Sequence, residues 1–432
     1  MKTMDWKSIY NARLMSAEDA VKCIKSGKRV SFSHAVGEPS HIIDAMVAAR
    51  QSYRDVEIVH MVPMGKGEYV QPGMEAHFRH NALFVGAKTR KAIAEGRGEF
   101  TPVYFHQIPH LWSGALPLDV AVIHVSKPDE HGYCSLGVSV DYSLHAAAAA
   151  KTVIAQVNAN MPRTLGNSFV HVSEIDCIVE HDAPLLTLPP PEIGEVERAI
   201  GEHCAKLVRD GDTLQLGIGA IPDAVLMFLS GKKDLGIHTE MFSDGVVDLI
   251  NAGVITCARK NVNHGKLVAA FLMGTKKLYD FVHNNPMVSM NPVSYTNDPY
   301  IAGQNDNLVA INSCVQIDLL GQVCSESVGT TQISAVGGQV DFVRAAALSK
   351  GGRAIIAMPS TAKGGTVSKI VSTLDEGAAV TTSRYDVEYI VTEHGAVNLR
   401  HHSSRERAKL LISIAHPNFR RQLTEEFNKR FG

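Results

Sequence analysis

Gly211-Asp-Thr-Leu214-Gln-Leu216-Gly217-Ile218-Gly219-Ala220-Ile221-Pro222-Asp223 holds a turn, a strand, a loop and a helix start within one short stretch. Gly211 suits the turn, Leu214-Gln-Leu216 a short strand, and Pro222-Asp223 a first helical turn, where a missing proline N–H leaves no hydrogen bond unmade. Upstream, Val196, Ile200 and Leu207 recur at helical spacing. Downstream, Asp234-Leu-Gly-Ile237-His-Thr239-Glu240 reads as the next strand, and it ends in an acid. Strands alternating with helices in this way predict a parallel sheet in an α/β fold.

The first half repeats the order. Ser16, with Asp19 three residues on, marks a helix start. Gly27-Lys-Arg-Val30-Ser-Phe32 supplies turn and strand, Glu38-Pro39 the next helix entry, and Asp55-Val-Glu-Ile58-Val-His60-Met61 the following strand. In this alignment Met61 stands where Glu240 stands, so a duplicated scaffold is expected to carry one acidic group. Val103-Tyr-Phe105, Val120-Ala-Val-Ile123, Val153-Ile-Ala155, Leu267-Val-Ala-Ala-Phe271, Leu308-Val-Ala-Ile311 and Ala354-Ile-Ile-Ala357 are continuous apolar runs, the pattern of strands buried on both faces. The Pro-rich stretch from Pro184 to Gly194 reads as a linker. The expected fold class is therefore α/β, with two similar open, mainly parallel-sheet domains at 1–185 and 195–432 joined by a linker at 186–194.

Composition removes several function classes. Among 432 residues, 42 Lys and Arg face 44 Asp and Glu, so no general positive field exists for nucleic acid or anionic lipid. An apolar share of 45% with 20% charged residues marks a folded chain and not a disordered one. The seven cysteines are scattered without a C-x-x-C, which fits reduced thiols and a cytoplasmic location. The first twenty residues have no apolar signal region and no run approaches the roughly 18 apolar residues of a membrane span, so neither is expected.

The loop Gly217-Ile218-Gly219-Ala220-Ile221 lets backbone approach a ligand closely and aims N–H groups and a helix N-terminus at an anion; it is equally a tight strand-to-helix turn. Glu240 lies about 20 residues on, as in a dinucleotide site, but Pro222 occupies the place of that fingerprint's third glycine. At the mouth of an apolar strand, Glu240 would be a partly desolvated nucleophile or base, or else a strand-end salt-bridge partner. Val336-Gly337-Gly338-Gln339 and Ser360-Thr-Ala-Lys363-Gly364-Gly365 offer further anion donors. His106 with His110, and His401 with His402, do not make a metal set, and H-E-x-x-H, G-x-S-x-G and P-loop motifs are absent, so no metal is expected. Cys134 and Cys324 read as inert buried thiols.

Together, GIGAIPDAV from Gly217 to Val225, GIHTEMFSDGVVDL from Gly236 to Leu249, VGGQVDFVRAA from Val336 to Ala346 and AMPSTAKGG from Ala357 to Gly365 resemble the acetyl-CoA hydrolase/transferase family, in particular its 4-hydroxybutyrate and butyryl-CoA:acetate CoA-transferase members. The resemblance extends over Met4-Asp-Trp-Lys7, Phe169-Val-His-Val-Ser-Glu-Ile-Asp176 and Thr381-Thr-Ser-Arg384. It implies two similar α/β domains with the active site in the cleft between them, a homodimer, no bound cofactor, and CoA entering only as acyl-CoA substrate with a carboxylate partner. It also implies that Glu240 is the covalent nucleophile, that Gly219 and Gly338 supply backbone donors to oxyanions, and that Gly217, Ile218, Gly219, Ala220, Ile221, Asn312, Gly338 and Lys363 contact CoA. A hydrolase on the same scaffold, or a protein that binds a nucleotide or sugar phosphate without covalent chemistry, are the alternatives. Within Thr392-Glu393-His394-Gly395 the sequence has His394 where the family pattern implies Tyr, and Ser33-His34-Ala-Val-Gly37-Glu38-Pro39 is a second candidate for shaping the acyl pocket.

Overall fold

The four-residue strand Arg29–Phe32 is buried along three of its four positions and pairs in parallel on both sides, although only Val30 and Phe32 are apolar. It is the first strand, β1, of a computed structural model that describes residues 5–432; Met4 of the Met4–Lys7 motif lies outside them. The described chain divides into two units, one of residues up to Leu188 together with Val268–Thr296, the other of Pro189–Leu267 and Asn297–Gly432. Each unit has its own sheet. In the first, β1, β2 (Val56–His60), β3 (Phe78–Ala82), β4 (Gly98–Phe100), β5 (Val120–Val125), β6 (Thr152–Val157) and β7 (Cys177–Glu180) lie in the order β4-β3-β2-β1-β5-β6-β7, every pair parallel. In the second, β8 (Thr213–Leu216), β9 (Gly236–Ile237), β10 (Leu308–Ser313), β11 (Arg353–Ala357), β12 (Tyr389–Thr392) and β13 (Gly395–Asn398) lie in the order β9-β8-β10-β11-β12-β13, and only the last pair is antiparallel.

The five strands β2-β1-β5-β6-β7 of one unit repeat as β9-β8-β10-β11-β12 of the other. The turns repeat in detail. Gly27 (φ 71°) donates its N–H to the Arg54 carbonyl at 2.9 Å, and Gly211 (φ 81°) donates to the Lys233 carbonyl at 2.9 Å. Asp55 and Asp234 take the same left-handed conformation, at φ 49° and 53°, before their strands. The strand order reverses between β1 and β5 and between β8 and β10, so each sheet has a crevice at those strands' carboxyl ends, the usual place for a ligand in an open α/β sheet.

Two expectations differ from the structure. The segment Val268–Thr296, read from sequence as part of a continuous C-terminal domain, belongs to the first unit. Its backbone is sewn there by Val140 N–H to the Ala270 carbonyl (3.1 Å), Leu272 N–H to Val138 (2.9 Å) and Asn167 N–H to Met290 (2.8 Å). Val103-Tyr-Phe105 is not a strand; it leads into a 3-10 turn at Phe105–Gln107, and Phe105 is apolar because its ring is buried edge-on to His34 and Phe271. In the second unit a helix over Gln339–Leu348 lays Phe342, Val343 and Ala346 on Leu308, Ala310 and Ala354 of β10 and β11. That packing fixes where the helix begins.

Burial pushes the His80 and His124 imidazoles of the first unit down to about 4, so the fold holds them neutral. Unfolded, each titrates near about 6.5. Their contribution is present in full above that value and is lost as pH falls from there towards about 4, because the unfolded chain takes up protons that the folded one refuses. Between pH 7 and 5 the loss is about 2 kcal/mol for each histidine. Glu38, whose carboxyl burial pushes up, acts in the opposite sense, so the histidine share is read as a difference. Urea unfolding at both pH values is expected to show wild type losing about 2 kcal/mol more than His80→Gln; equal losses would contradict a neutral buried His80.

Candidate active site

Glu240 follows β9 at the carboxyl edge of the second sheet, and its residue is partly buried. Three neighbours define its setting. Thr239, 1% exposed, places its hydroxyl 2.8 Å from the Leu216 carbonyl and 2.9 Å from the Met241 carbonyl, and accepts the Leu216 N–H at 3.2 Å. Asn297, fully buried, donates from Nδ2 to Glu240 Oε2 at 2.7 Å, while its Oδ1 has no partner among the described residues. Gly338 caps the helix Gln339–Leu348, and a Cβ there would overlap Glu240 Oε2 and lie 2.5 Å from Asn297 Nδ2. Gly338 has φ −94°, which any residue adopts, so space and not conformation calls for glycine. The carboxylate therefore rests against the N-terminal end of a ten-residue helix.

The loop after β8 has the opposite logic. Gly219 (φ 109°, ψ −177°) caps the helix Ala220–Met227, and a Cβ there would meet nothing within 4 Å; only the backbone conformation excludes other residues. Asp223 in the first helical turn accepts a hydrogen bond from Ser243 Oγ at 3.0 Å, and burial raises its carboxyl above the usual range. Beneath β9, Lys260 is 3% exposed and donates from Nζ to the Ile237 and Lys266 carbonyls at 2.8 Å each. Burial pushes its ammonium down to about 8.

Models of the acetyl-CoA hydrolase/transferase N-terminal and C-terminal domains match residues 1–188 and 274–427. The chain belongs to the acetyl-CoA hydrolase/transferase family. It is 61% identical to a 4-hydroxybutyrate coenzyme A transferase of Clostridium kluyveri, over 99% of this chain and 100% of the relative. A succinyl-CoA:cyclohexane-1-carboxylate CoA transferase of Geobacter metallireducens is 46% identical over 96% of this chain and 95% of its own. The crystal structure of a 4-hydroxybutyrate CoA-transferase from Porphyromonas gingivalis superposes with a TM-score of 0.87 at 43% identity, covering 99% of this chain and 100% of that one.

In this member of the acetyl-CoA hydrolase/transferase family, the structure brings Glu240 against Gly338, while Asn312 and Lys363 have other surroundings. Asn312, at the end of β10, pairs its side-chain amide with that of Gln215 on β8 (Nδ2 to Oε1, 2.9 Å). The asparagine on the Glu240 carboxylate is Asn297, in the two-residue connection between the short helices Val293–Thr296 and Pro299–Ala302, which sequence alone gave no reason to single out. Lys363 is exposed in the turn between the short strands Thr361–Ala362 and Val367–Ser368, with φ 49°. That loop is anchored at its base by Glu393, whose carboxylate accepts both the N–H (2.8 Å) and the hydroxyl (2.5 Å) of Ser360. His394 stands beside the same carboxylate at 3.5 Å and edge-on to His416. Among the described residues no three His, Cys, Asp or Glu side chains converge as metal ligands, and no helix is long and apolar enough to cross a membrane.

Proposed function

We propose that the protein is a CoA-transferase that moves CoA from a short-chain acyl-CoA, 4-hydroxybutyryl-CoA or butyryl-CoA, to acetate by a ping-pong reaction through a Glu240-CoA thioester. The observation that carries the reading is the Glu240 carboxylate lodged between Asn297 Nδ2 and a glycine at a helix start. The acyl part follows the 61% identical relative, a 4-hydroxybutyrate coenzyme A transferase. A Glu240 carboxylate oxygen attacks the thioester carbonyl, the carbon–sulfur bond breaks, and CoA thiolate leaves an acyl-glutamyl anhydride. The thiolate then attacks the Glu240 carbonyl carbon, the anhydride bond breaks, and the first carboxylate departs, leaving glutamyl-CoA. Acetate reverses both steps and carries CoA away, with no net proton transfer. When the thiolate adds to the glutamyl carbonyl, negative charge gathers on a Glu240 oxygen, where Asn297 Nδ2 and the helix start at Gly338 already lie. The backbone N–H of Gly219 is the proposed donor to the oxyanion on the acyl carbon, and Gly217 to Ile221, Gly338, Lys363 and Asn312 the proposed CoA contacts. Holding the nucleotide end of CoA at a distance from the chemistry would help drive attack by a weak carboxylate nucleophile.

The deciding experiment is intact-protein mass after butyryl-CoA without acceptor, followed by borohydride reduction and peptide mapping. Reduction of Glu240 to the alcohol is expected; an unmodified protein that still turns over would return the non-covalent reading. With acetate, butyrate, 4-hydroxybutyrate, succinate and water compared as acceptors, acetate is expected to lead, and release of free acid at the same rate without acceptor would make the enzyme a hydrolase. Asn297→Ala is expected to lower kcat by about 10²- to 10³-fold, the usual effect of removing one oxyanion donor. Asn312→Ala should change it far less, because Asn312 bonds to Gln215. The homodimer and the cytoplasmic location belong to the same proposal; all seven cysteines are free thiols, which suits a reducing compartment, and sedimentation of the purified enzyme tests the dimer.

A further inference from the structure

We infer that Thr239 is a positioning residue whose hydroxyl locks the Glu240 turn to the loop that begins at Gly217. The inference rests on the reading of Glu240 as nucleophile. Its basis is a count of hydrogen-bonding groups around one oxygen. Thr239 Oγ1 accepts the Leu216 N–H at 3.2 Å and lies within donating distance of two carbonyls, Leu216 at 2.8 Å and Met241 at 2.9 Å. The hydroxyl has a single proton, so the two carbonyls share it. One side of that shared contact is the last residue of β8, directly before Gly217; the other is the residue directly after Glu240. Thr239 is 1% exposed, so no solvent can replace the hydroxyl if it is removed.

β9 itself is only two residues long and ends at Ile237, so ladder hydrogen bonds stop before the nucleophile. From there to Glu240, His238 N–H still reaches the Leu214 carbonyl at 3.0 Å, and beyond it the Thr239 side chain takes over the role of the ladder. A side chain thus continues the registration of β9 against β8 for the step that carries the catalytic carboxylate. Asn297 and Gly338 fix the far end of the Glu240 side chain, and Thr239 fixes its backbone relative to the glycine loop. Misplacement of reacting groups by about 1 Å can cost on the order of 10²-fold in rate, so a partial release should appear in the chemical step.

The test compares wild type, Thr239→Val, which keeps the shape without the hydroxyl, and Thr239→Ser, which keeps the hydroxyl without the methyl. Rapid-quench mixing with butyryl-CoA, borohydride trapping and mass analysis give the rate of glutamyl-CoA formation, and steady-state assays give kcat and KM. Thr239→Val is expected to slow adduct formation and kcat by roughly 10- to 100-fold with KM for butyryl-CoA within about two-fold, and Thr239→Ser to stay within about three-fold of wild type. If Thr239→Val does not fold, Thr239→Ala makes the same comparison with a smaller side chain. Adduct formation in Thr239→Val at the wild-type rate, or a Thr239→Ser variant as slow as Thr239→Val, would overturn the inference and leave Glu240 standing. No adduct in wild type would instead overturn the reading of Glu240 itself.

Discussion

Glu240→Ala is expected to lose at least about 10⁴-fold in kcat, because the variant has no group to carry CoA between the two half-reactions. The loss should be far larger than any structural effect. Glu240 is only partly buried, Thr239 is held by its hydroxyl bonds and the helix at Gly338 by packing on β10 and β11, while alanine leaves the buried Asn297 amide without its carboxylate partner at a cost of about 1–3 kcal/mol. Glu240→Gln sharpens the comparison. A glutamine keeps the volume and can still accept from Asn297 Nδ2, so its melting temperature should match wild type within a few degrees while transfer is lost to a similar extent. Exchange of labelled acetate into acetyl-CoA, which needs only the second half-reaction, should vanish in both variants. Exchange persisting in Glu240→Ala at a tenth of the wild-type rate or more would place the nucleophile elsewhere.

Gly338→Ala is the second large effect, and it arises from one methyl group. The added Cβ would overlap Glu240 Oε2 and stand 2.5 Å from Asn297 Nδ2, so either the carboxylate or the helix start must move. Helix packing on β10 and β11 resists the second option, so the carboxylate is displaced and its bond to Asn297 is broken. A fall in kcat of about 10²- to 10³-fold follows from loss of that donor geometry. Backbone conformation is no obstacle to alanine at φ −94°, and the variant should fold. Gly219→Ala provides the contrast: its Cβ meets no atom, so Glu240 keeps its bond to Asn297, and the strain at φ 109° instead shifts the loop and its proposed N–H donor, with an expected rise in KM for acyl-CoA as well as a fall in kcat. A Gly338→Ala variant that keeps the wild-type kcat would remove the steric argument for Gly338.

The strands at 120–125, 152–157, 308–313 and 353–357 were legible in the sequence because strands buried on both faces need unbroken apolar runs, and the duplication was legible because the turns at Gly27 and Gly211 need the same residue type. Val103-Tyr-Phe105 misled for a related reason: burial makes a sequence apolar whether or not its backbone joins a sheet. The membership of Val268–Thr296 was not legible, since its partners, Val138, Val140 and Asn167, lie more than a hundred positions away. In the site, Glu240 and Gly338 were marked by position and motif. Asn297 was not, because an asparagine between two short helices looks like any other; only the 2.7 Å contact distinguishes it from Asn312.

The return of Val268–Thr296 to the first unit constrains how the polypeptide is made and how it can be cut. A ribosome releases Glu240 before it has finished the first unit, so the earlier half of the gene product waits, incomplete, while the later half is already being laid down. Neither unit is a continuous stretch of chain, and a break in the Pro-rich connection at 186–194 would yield fragments each lacking or carrying a piece of the other. Complementation by two separately expressed pieces is therefore expected to fail for a cut at that obvious place.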